Sequence, residues 1–266
     1  MLIIDHDTCT QCNTCVEECS NNCLEIRDEV LEYDAGKCNM CGHCLAVCPC
    51  DAIIIDGDGY DCEDVVDLSF TAKPGPVEMG NLIMHRRSVR RFTDTEVSED
   101  QLAAILEAGK YAPTAKNAQG NVFMVVKDPE KKQEMVSDMA QVLLAKGKGL
   151  ADKIPGLAAF FMNKASKYIE QGKDEILYDA PLVIFVFSDT VEDGSICAST
   201  MGFMINSMRL GYCFAQLPTD AFADEAFAEK WQAPEGKKCV MALLIGEAEA
   251  EYFCSVTRKT PPVIRY

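Results

Sequence analysis

The chain is poor in histidine. His6, His43 and His85 are its three, far apart in sequence, and no Ser/His/Asp or Cys/His pairing suggests a catalytic nucleophile. No G-x-G-x-x-G follows an apolar run and no Walker loop is present, so a Rossmann-type site for a tightly held dinucleotide is unsupported. The longest apolar run, Ala180–Phe187, is too short to span a bilayer. Residues 1–7 have no basic stretch ahead of an apolar one and predict no signal peptide. Basic residues are scarce as well: 25 Lys+Arg against 42 Asp+Glu give a net charge of −17. The imbalance is local, because residues 1–80 hold 17 acidic against 3 basic side chains and the remainder 25 against 22. So acidic a segment repels nucleic acid and anionic membrane; it suits docking on a basic redox partner, or simple solubility. Otherwise the composition, 48% hydrophobic and 25% charged, is that of a globular protein. The 266 residues suffice for one full-sized domain and a small one.

What the chain has in quantity is cysteine. Cys9, Cys12, Cys15 and Cys19 recur as Cys38, Cys41, Cys44 and Cys48, the whole pattern displaced by 29 residues. Each run reads C-x2-C-x2-C-x3-C, and Pro49 follows the second. Four thiolates at that spacing suit an iron–sulfur cluster, and in paired runs the fourth cysteine of each ligates the other cluster. The rule groups Cys9, Cys12, Cys15 and Cys48 in one 4Fe–4S centre, and Cys38, Cys41, Cys44 and Cys19 in a second. A disulfide framework and a pair of zinc sites compete for the same residues. Zinc needs only two C-x2-C knuckles, which leaves the third cysteine and the C-x3-C-P ending without a use. The segment, residues 1–56, resembles the bacterial two-cluster ferredoxins. The repeat extends past the ligands, with Cys23-Leu24-Glu25-Ile26 matching Ala52-Ile53-Ile54-Ile55; Ser20 stands where the family has proline. The seven other cysteines (Cys23, Cys50, Cys62, Cys197, Cys213, Cys239 and Cys254) are expected to be unpaired core thiols. Free thiols and clusters fit a reducing cytoplasm, the expected location.

Residues 57–80, rich in Asp, Gly and Pro, read as a linker. A helix is expected from about Asn81 to Arg87. Another opens at the capping box Ser98/Gln101, with Leu102, Ile105 and Leu106 as its stripe and Gly109 as its stop. Val122–Lys127, Pro181–Phe187 and Val240–Ile245 read as buried strands. Residues 129–175 read as helical, broken at Lys146-Gly147-Lys148-Gly149. Ile196–Leu210 reads as a long helix ended by Gly211. Strands separated by helices give an α/β or α+β domain around one sheet.

His85-Arg86-Arg87-Ser88-Val89-Arg90-Arg91-Phe92 is the densest positive cluster. Forked guanidinium donors and a hydroxyl suit a phosphate; a solvated basic face is the plainer alternative. Over residues 81–266 the sequence resembles the nitroreductase family of FMN enzymes. Arg86, Ser88 and Arg90 occupy that family's R-x-S-x-R/K stretch, with Arg87 beside them. Pro113 to Gly120 resembles its P-S-x-x-N-x-Q-P signature, with Gly120 in place of the last proline.

The resemblance implies a set of flavin contacts. Arg86, Arg87, Ser88 and Arg90 grip the FMN phosphate and pyrimidine edge. Asn117 hydrogen-bonds the isoalloxazine, and Gln119 is a second candidate. Gln216-Leu217-Pro218 bring backbone amides to the N5 side, and Arg258-Lys259 reach the phosphate from the C-terminal end. Ala180–Ile184 resembles the family's central strand, and Asp193–Gly211 its dimer helix. No side chain is expected to be catalytic; the cofactor carries the chemistry, and Arg90 stabilises the charge on reduced flavin.

Together the two resemblances imply an α+β chain. A small ferredoxin-like two-cluster domain (1–56) and a linker (57–80) precede a nitroreductase-like three-layer α/β/α domain with a mixed sheet (81–266). They imply two 4Fe–4S clusters, or NAD(P)H, passing electrons to FMN. From there the electrons reduce an electrophile: a nitroaromatic, a quinone or an activated alkene. They also imply a homodimer with FMN at the interface, an external ferredoxin or similar donor, and residues 129–175 as a mobile cover over the substrate. The other reading is a non-catalytic relay between a redox donor and a partner protein.

Overall fold

The computed structural model describes residues 1–68 and 71–266; of the expected linker, residues 69 and 70 lie outside the described residues. Two compact units are present: one is Met1–Lys73 with Thr114–Ala118, the other Pro74–Pro113 with Gln119–Tyr266.

In the first unit the elements are β1 (Leu2–Ile4), α1 (Thr14–Glu18), β2 (Leu24–Arg27), β3 (Val30–Tyr33), α2 (His43–Ala46) and β4 (Ile53–Ile55). β1 pairs antiparallel with β4, Leu2 opposite Ile55, and β2 pairs with β3, Leu24 opposite Tyr33. The 29-residue repeat is written into the backbone. Gln11, Asn13, Asn22, Asp28 and Glu29 have positive φ, and so do their counterparts Met40, Gly42, Asp51, Gly57 and Asp58. Leu2, Leu24, Leu31, Ile53 and Ile55 form the core together with Cys15, Cys23 and Cys44. That is little apolar area for a free-standing unit, and a unit so small normally needs metal or disulfides to hold it.

The second unit contains α3 (Pro76–His85), α4 (Glu99–Lys110), β5 (Val122–Val126), α5 (Pro129–Leu150), α6 (Pro155–Gln171), β6 (Leu182–Ser188), α7 (Val191–Ser207), β7 (Gly211–Ala215), α8 (Glu225–Lys230) and β8 (Lys238–Gly246). Its sheet runs β5-β6-β8-β7. The ladder pairings are antiparallel, and the parallel component is a single bridge between Ser88 and Tyr212. Every residue of β6 is buried, and alternation sends its side chains to opposite faces. Val183, Phe185 and Phe187 pack with Met135, Met139 and Leu143 of α5 and Phe161 of α6. Leu182, Ile184 and Val186 pack with Ile105 of α4 and with Cys197, Met201 and Ile205 of α7. The result is the expected three layers, helices on both faces of one sheet.

Several boundaries differ from those expected. The first helix of this unit begins at Pro76, not Asn81, because a proline at the first helical position is already set for the helix. Among the described residues β5 is an edge strand paired only with β6, so most of it is not buried. α4 runs through Gly109 to Lys110. α7 begins at Val191, where the Thr190 hydroxyl caps the Asp193 amide. Gly211 does not end α7. It opens β7, where a Cβ would meet the Val89 side chain at 2.8 Å.

The expected break at Lys146–Gly149 is likewise absent, and α5 continues to Leu150. Gly147 is buried where α5 meets α6: a Cβ there would lie 2.7 Å from Met162 Cγ and 3.0 Å from the Ala158 carbonyl oxygen. The glycine admits a neighbouring helix rather than stopping its own. With Met135, Met139 and Leu143 fully buried, α5 belongs to the core and is not a mobile cover. Of the seven other cysteines, Cys62 and Cys254 are exposed and not core thiols, since each lies in a segment outside the two packed cores.

Two glycines in one helix thus give opposite expectations. Gly147→Ala is expected to cost about 1–3 kcal/mol through overpacking. Gly149→Ala, with nothing within 4 Å of its Cβ, is expected to stabilise by about 0.5–1 kcal/mol. Unfolding midpoints in denaturant check both signs.

Candidate functional site

The first unit holds two cysteine-lined cavities. One is lined by Cys9, Cys12, Cys15 and Cys48, with Cys50 beside them. The other is lined by Cys19, Cys38, Cys41 and Cys44, with Cys23 beside them. The fold therefore gathers the eight cysteines in the crossed arrangement that the spacing rule gives. Each set has an apolar wall, Ile26, Leu31 and Ile53 in the first and Leu2, Leu24 and Ile55 in the second. Backbone amides turn toward the sulfurs: Cys23 N–H donates to Cys19 Sγ at 3.4 Å, Met40 N–H to Cys38 Sγ at 3.4 Å and Ala52 N–H to Cys48 Sγ at 3.3 Å. Cysteine sulfurs gathered together, met by amide dipoles and backed by an apolar wall, are a donor set that fits an iron–sulfur cluster.

In the second unit the basic stretch follows α3. The Val89 amide donates to the Tyr212 carbonyl at 3.0 Å, and its side chain is buried. Alternation then leaves Ser88 and Arg90 exposed. The arginines divide by role. Arg87 is committed to the framework, donating to the carbonyl oxygens of Met84 (2.9 Å), Arg86 (2.6 Å) and Cys254 (3.0 Å). Arg91 is paired with Glu249. Among the described residues, Arg86 and Arg90 are in no ion pair. Burial pushes the Cys213 thiol up, while Arg90, Ser88 and Arg86 facing it pull the other way. Burial likewise holds the Tyr212 hydroxyl at about 12, with Arg86 opposing. Arg90 lies 5.9 Å from the centre of the Tyr178 ring. Two guanidiniums without carboxylate partners, beside an exposed hydroxyl, fit a dianionic phosphate.

Tyr178 has no sequence signal. It sits in left-handed backbone (φ 56°), as does Asp179 (φ 51°). Asp174 holds that loop: its Oδ1 accepts the Ile176 and Leu177 amides, both at 2.8 Å, and its Oδ2 the Asp179 amide at 3.0 Å. Next to it, Glu175 accepts from Lys164 (2.6 Å), Lys173 (2.7 Å) and Lys167 (3.0 Å).

The other expected flavin residues belong to separate segments of the chain. Gln216 is exposed, and its carbonyl accepts the Thr219 amide at 2.9 Å; Leu217 and Pro218 open a short 3-10 turn. Gln119 is exposed with φ 48°. Arg258 and Lys259 lie in an exposed C-terminal stretch without helix or strand. Asn117 groups with the first unit, where its Nδ2 donates to the carbonyls of Asn39 (3.0 Å) and Met40 (2.9 Å).

A three-layer sheet domain bearing an arginine-lined edge, with a small cysteine-lined unit before it, defines an α+β protein built for redox groups. Comparison with known proteins agrees. The family model for the nitroreductase family matches residues 83–247, and that for a 4Fe-4S dicluster domain matches residues 1–49. The chain belongs to the nitroreductase family and carries an N-terminal 4Fe–4S dicluster domain. It is 26% identical over 136 residues to the FMN reductase (NADPH) of Bacillus subtilis, covering 50% of this chain and 51% of that one. The chain thus spans about half the length of that relative. It is 38% identical over 47 residues to a ferredoxin-like protein in the nif region of Sinorhizobium fredii, 15% of this chain and 73% of that one. A nitroreductase with bound FMN from Bacteroides fragilis shares the fold, with a TM-score of 0.59 at 21% identity, covering 71% of this chain and 99% of that one.

Glu175 carries a pH expectation. Its hydrogen bonds from Lys164, Lys173 and Lys167 hold the carboxyl at about 2, against an ordinary 4.5. A depressed carboxyl stabilises the fold above its unfolded value, and that share is lost as pH falls from about 4.5 toward 2. The stability gap between wild type and Glu175→Gln, read from denaturant midpoints, is expected to be widest near neutrality and to close through that window.

Proposed function

We propose that the protein is an FMN-dependent oxidoreductase. It takes electrons in through two 4Fe–4S clusters and reduces an electrophilic organic substrate, a nitroaromatic, quinone or activated alkene. The observation that carries this reading is the pair Arg86 and Arg90, without carboxylate partners and beside the exposed Ser88. FMN, when bound, supplies the chemistry, since it accepts electrons singly or in pairs. The chain's own residues bind and orient. Arg86, Ser88 and Arg90 hold the phosphate and the pyrimidine edge, and Arg87 fixes the turn that presents them. Gln119 and Gln216-Leu217-Pro218 supply the remaining polar and backbone groups. In the first unit the two crossed sets of four cysteines hold the clusters.

The acidic first unit suits docking of an external ferredoxin or similar one-electron donor. The Bacillus relative's name records NADPH, which supports NAD(P)H as a second source of electrons. The cysteines are free thiols, as a reducing cytoplasm would keep them. No helix among the described residues is long and apolar enough to cross a membrane.

The reading includes a homodimer. Residues 249–266 are exposed, with Phe253 at 86%, Val263 at 70% and Ile264 at 77%. A tail whose apolar side chains are left exposed by the rest of the described residues suits packing on a second copy, where Arg258 and Lys259 would meet that copy's phosphate. Sedimentation equilibrium is expected to give twice the chain mass of 29.3 kDa; a flavin-loaded monomer contradicts this.

With a reduced low-potential donor under anaerobic conditions, the protein is expected to consume such an electrophile over many turnovers. Reversible flavin reduction without turnover would make it a relay instead. Arg90→Ala is expected to weaken FMN binding by about tenfold or more, the worth of one charge-assisted hydrogen bond. Fluorescence titration of the apoprotein reads this, and unchanged affinity counts against the site.

A further inference from the structure

Tyr178 stands in backbone that suits another residue. Its φ of 56° is left-handed, a region that asparagine and glycine enter readily and a bulky ring does not. Asp179 follows at φ 51°, and the buried Asp174 holds the turn by accepting the amides of Ile176, Leu177 and Asp179. Asparagine would make that turn with less strain, so the side chain and not the turn accounts for a tyrosine here. Its ring is half-buried against the core of the second unit, and two cations face it. The Arg90 Cζ lies 5.9 Å from the ring centre, and so does the Lys164 Nζ. The two cations differ in how they are held. Lys164 pairs with Glu175 at 2.6 Å where both side chains are largely buried, and Lys167 and Lys173 pair with the same carboxylate. Burial works against the Lys164 charge, and Glu175 and Tyr178 outweigh it. Arg90 is exposed and in no ion pair among the described residues, and its hydrogen bond to the Ser88 carbonyl is long at 3.5 Å.

We propose that Tyr178 is a positioning residue for Arg90. Anchored beside Lys164 and Glu175, its ring carries the exposed guanidinium by a cation–π contact and presets it for the pyrimidine edge of the flavin. The inference rests on the reading that Arg90 meets the flavin there. A long arginine side chain free in solvent must be ordered when a ligand arrives; one laid on a ring is ordered in advance. A preset cation also favours reduced over oxidised flavin, because reduction places negative charge at that edge. The strain in the turn is then part of the preorganisation of the site.

The flavin midpoint potential separates this role from a merely structural one. It is read by spectroelectrochemistry on the cluster-loaded protein, beside FMN affinity from fluorescence titration of the flavin-free protein. Tyr178→Asn removes the ring and suits the left-handed turn, so the variant is expected to fold, with a cooperative denaturant transition as the check. Its FMN affinity is expected to fall. Its preference for reduced over oxidised flavin is expected to drop about tenfold, which lowers the midpoint by about 30 mV for a two-electron couple. Tyr178→Phe keeps the ring and is expected to keep the wild-type potential. Tyr178→Asn combined with Arg90→Ala is expected to lie no lower than Arg90→Ala alone, since the ring acts through the guanidinium. A wild-type potential in Tyr178→Asn overturns the proposal, and so does a drop that persists on top of Arg90→Ala. Arg90→Ala with unchanged FMN affinity refutes the underlying reading of the site, and the inference with it.

Discussion

Each fourth cysteine lies in the other run's cavity, and the first unit depends on that crossing. Cys48 completes the set begun by Cys9, Cys12 and Cys15; Cys19 completes that of Cys38, Cys41 and Cys44. Neither half of the repeat makes a site alone, so the two halves must fold together. The β1–β4 ladder, which joins the first strand of the unit to its last, follows from the same demand. An apolar core of five aliphatic side chains and three cysteines is too thin to hold such a unit unaided. Metal–thiolate bonds are the natural replacement, and folding and cofactor loading become one process.

The second unit solves a different problem, that of presenting charge beside apolar walls. β6 is buried along its whole length and fixes helices on both faces. That rigid frame lets the short bridge from Ser88 to Tyr212 hold the stretch after α3 in register. Burying Val89 then turns its neighbours outward. Arg87 and Arg91 are taken up by carbonyls and by Glu249, so two of the four arginines serve the frame, while the other two are in no ion pair among the described residues.

Much of this was legible in the sequence, and the reason is physical. Cluster spacing is set by covalent geometry, so Cys9 to Cys48 announced their grouping without any tertiary information. The Ser98/Gln101 capping box is local too, and both of its hydrogen bonds form. The misread residues owe their roles to distant partners. Gly147 and Gly211 look like stops, yet they are there to admit Met162 and Val89. Val122–Val126 has the composition of an inner strand, but only the pairing order shows it to be an edge. Tyr178 reaches Arg90 through left-handed backbone pinned by Asp174, and no periodicity encodes that.

The central claim is that electrons enter through the cysteine-rich unit. The most direct measurement is an anaerobic absorbance titration with a reduced one-electron donor, wild type beside Cys12→Ser and Cys41→Ser, all matched for flavin content. The account predicts rapid flavin bleaching in wild type and slow bleaching in both variants. Equal bleaching in all three would contradict it and leave nicotinamide, reacting at the flavin, as the way in.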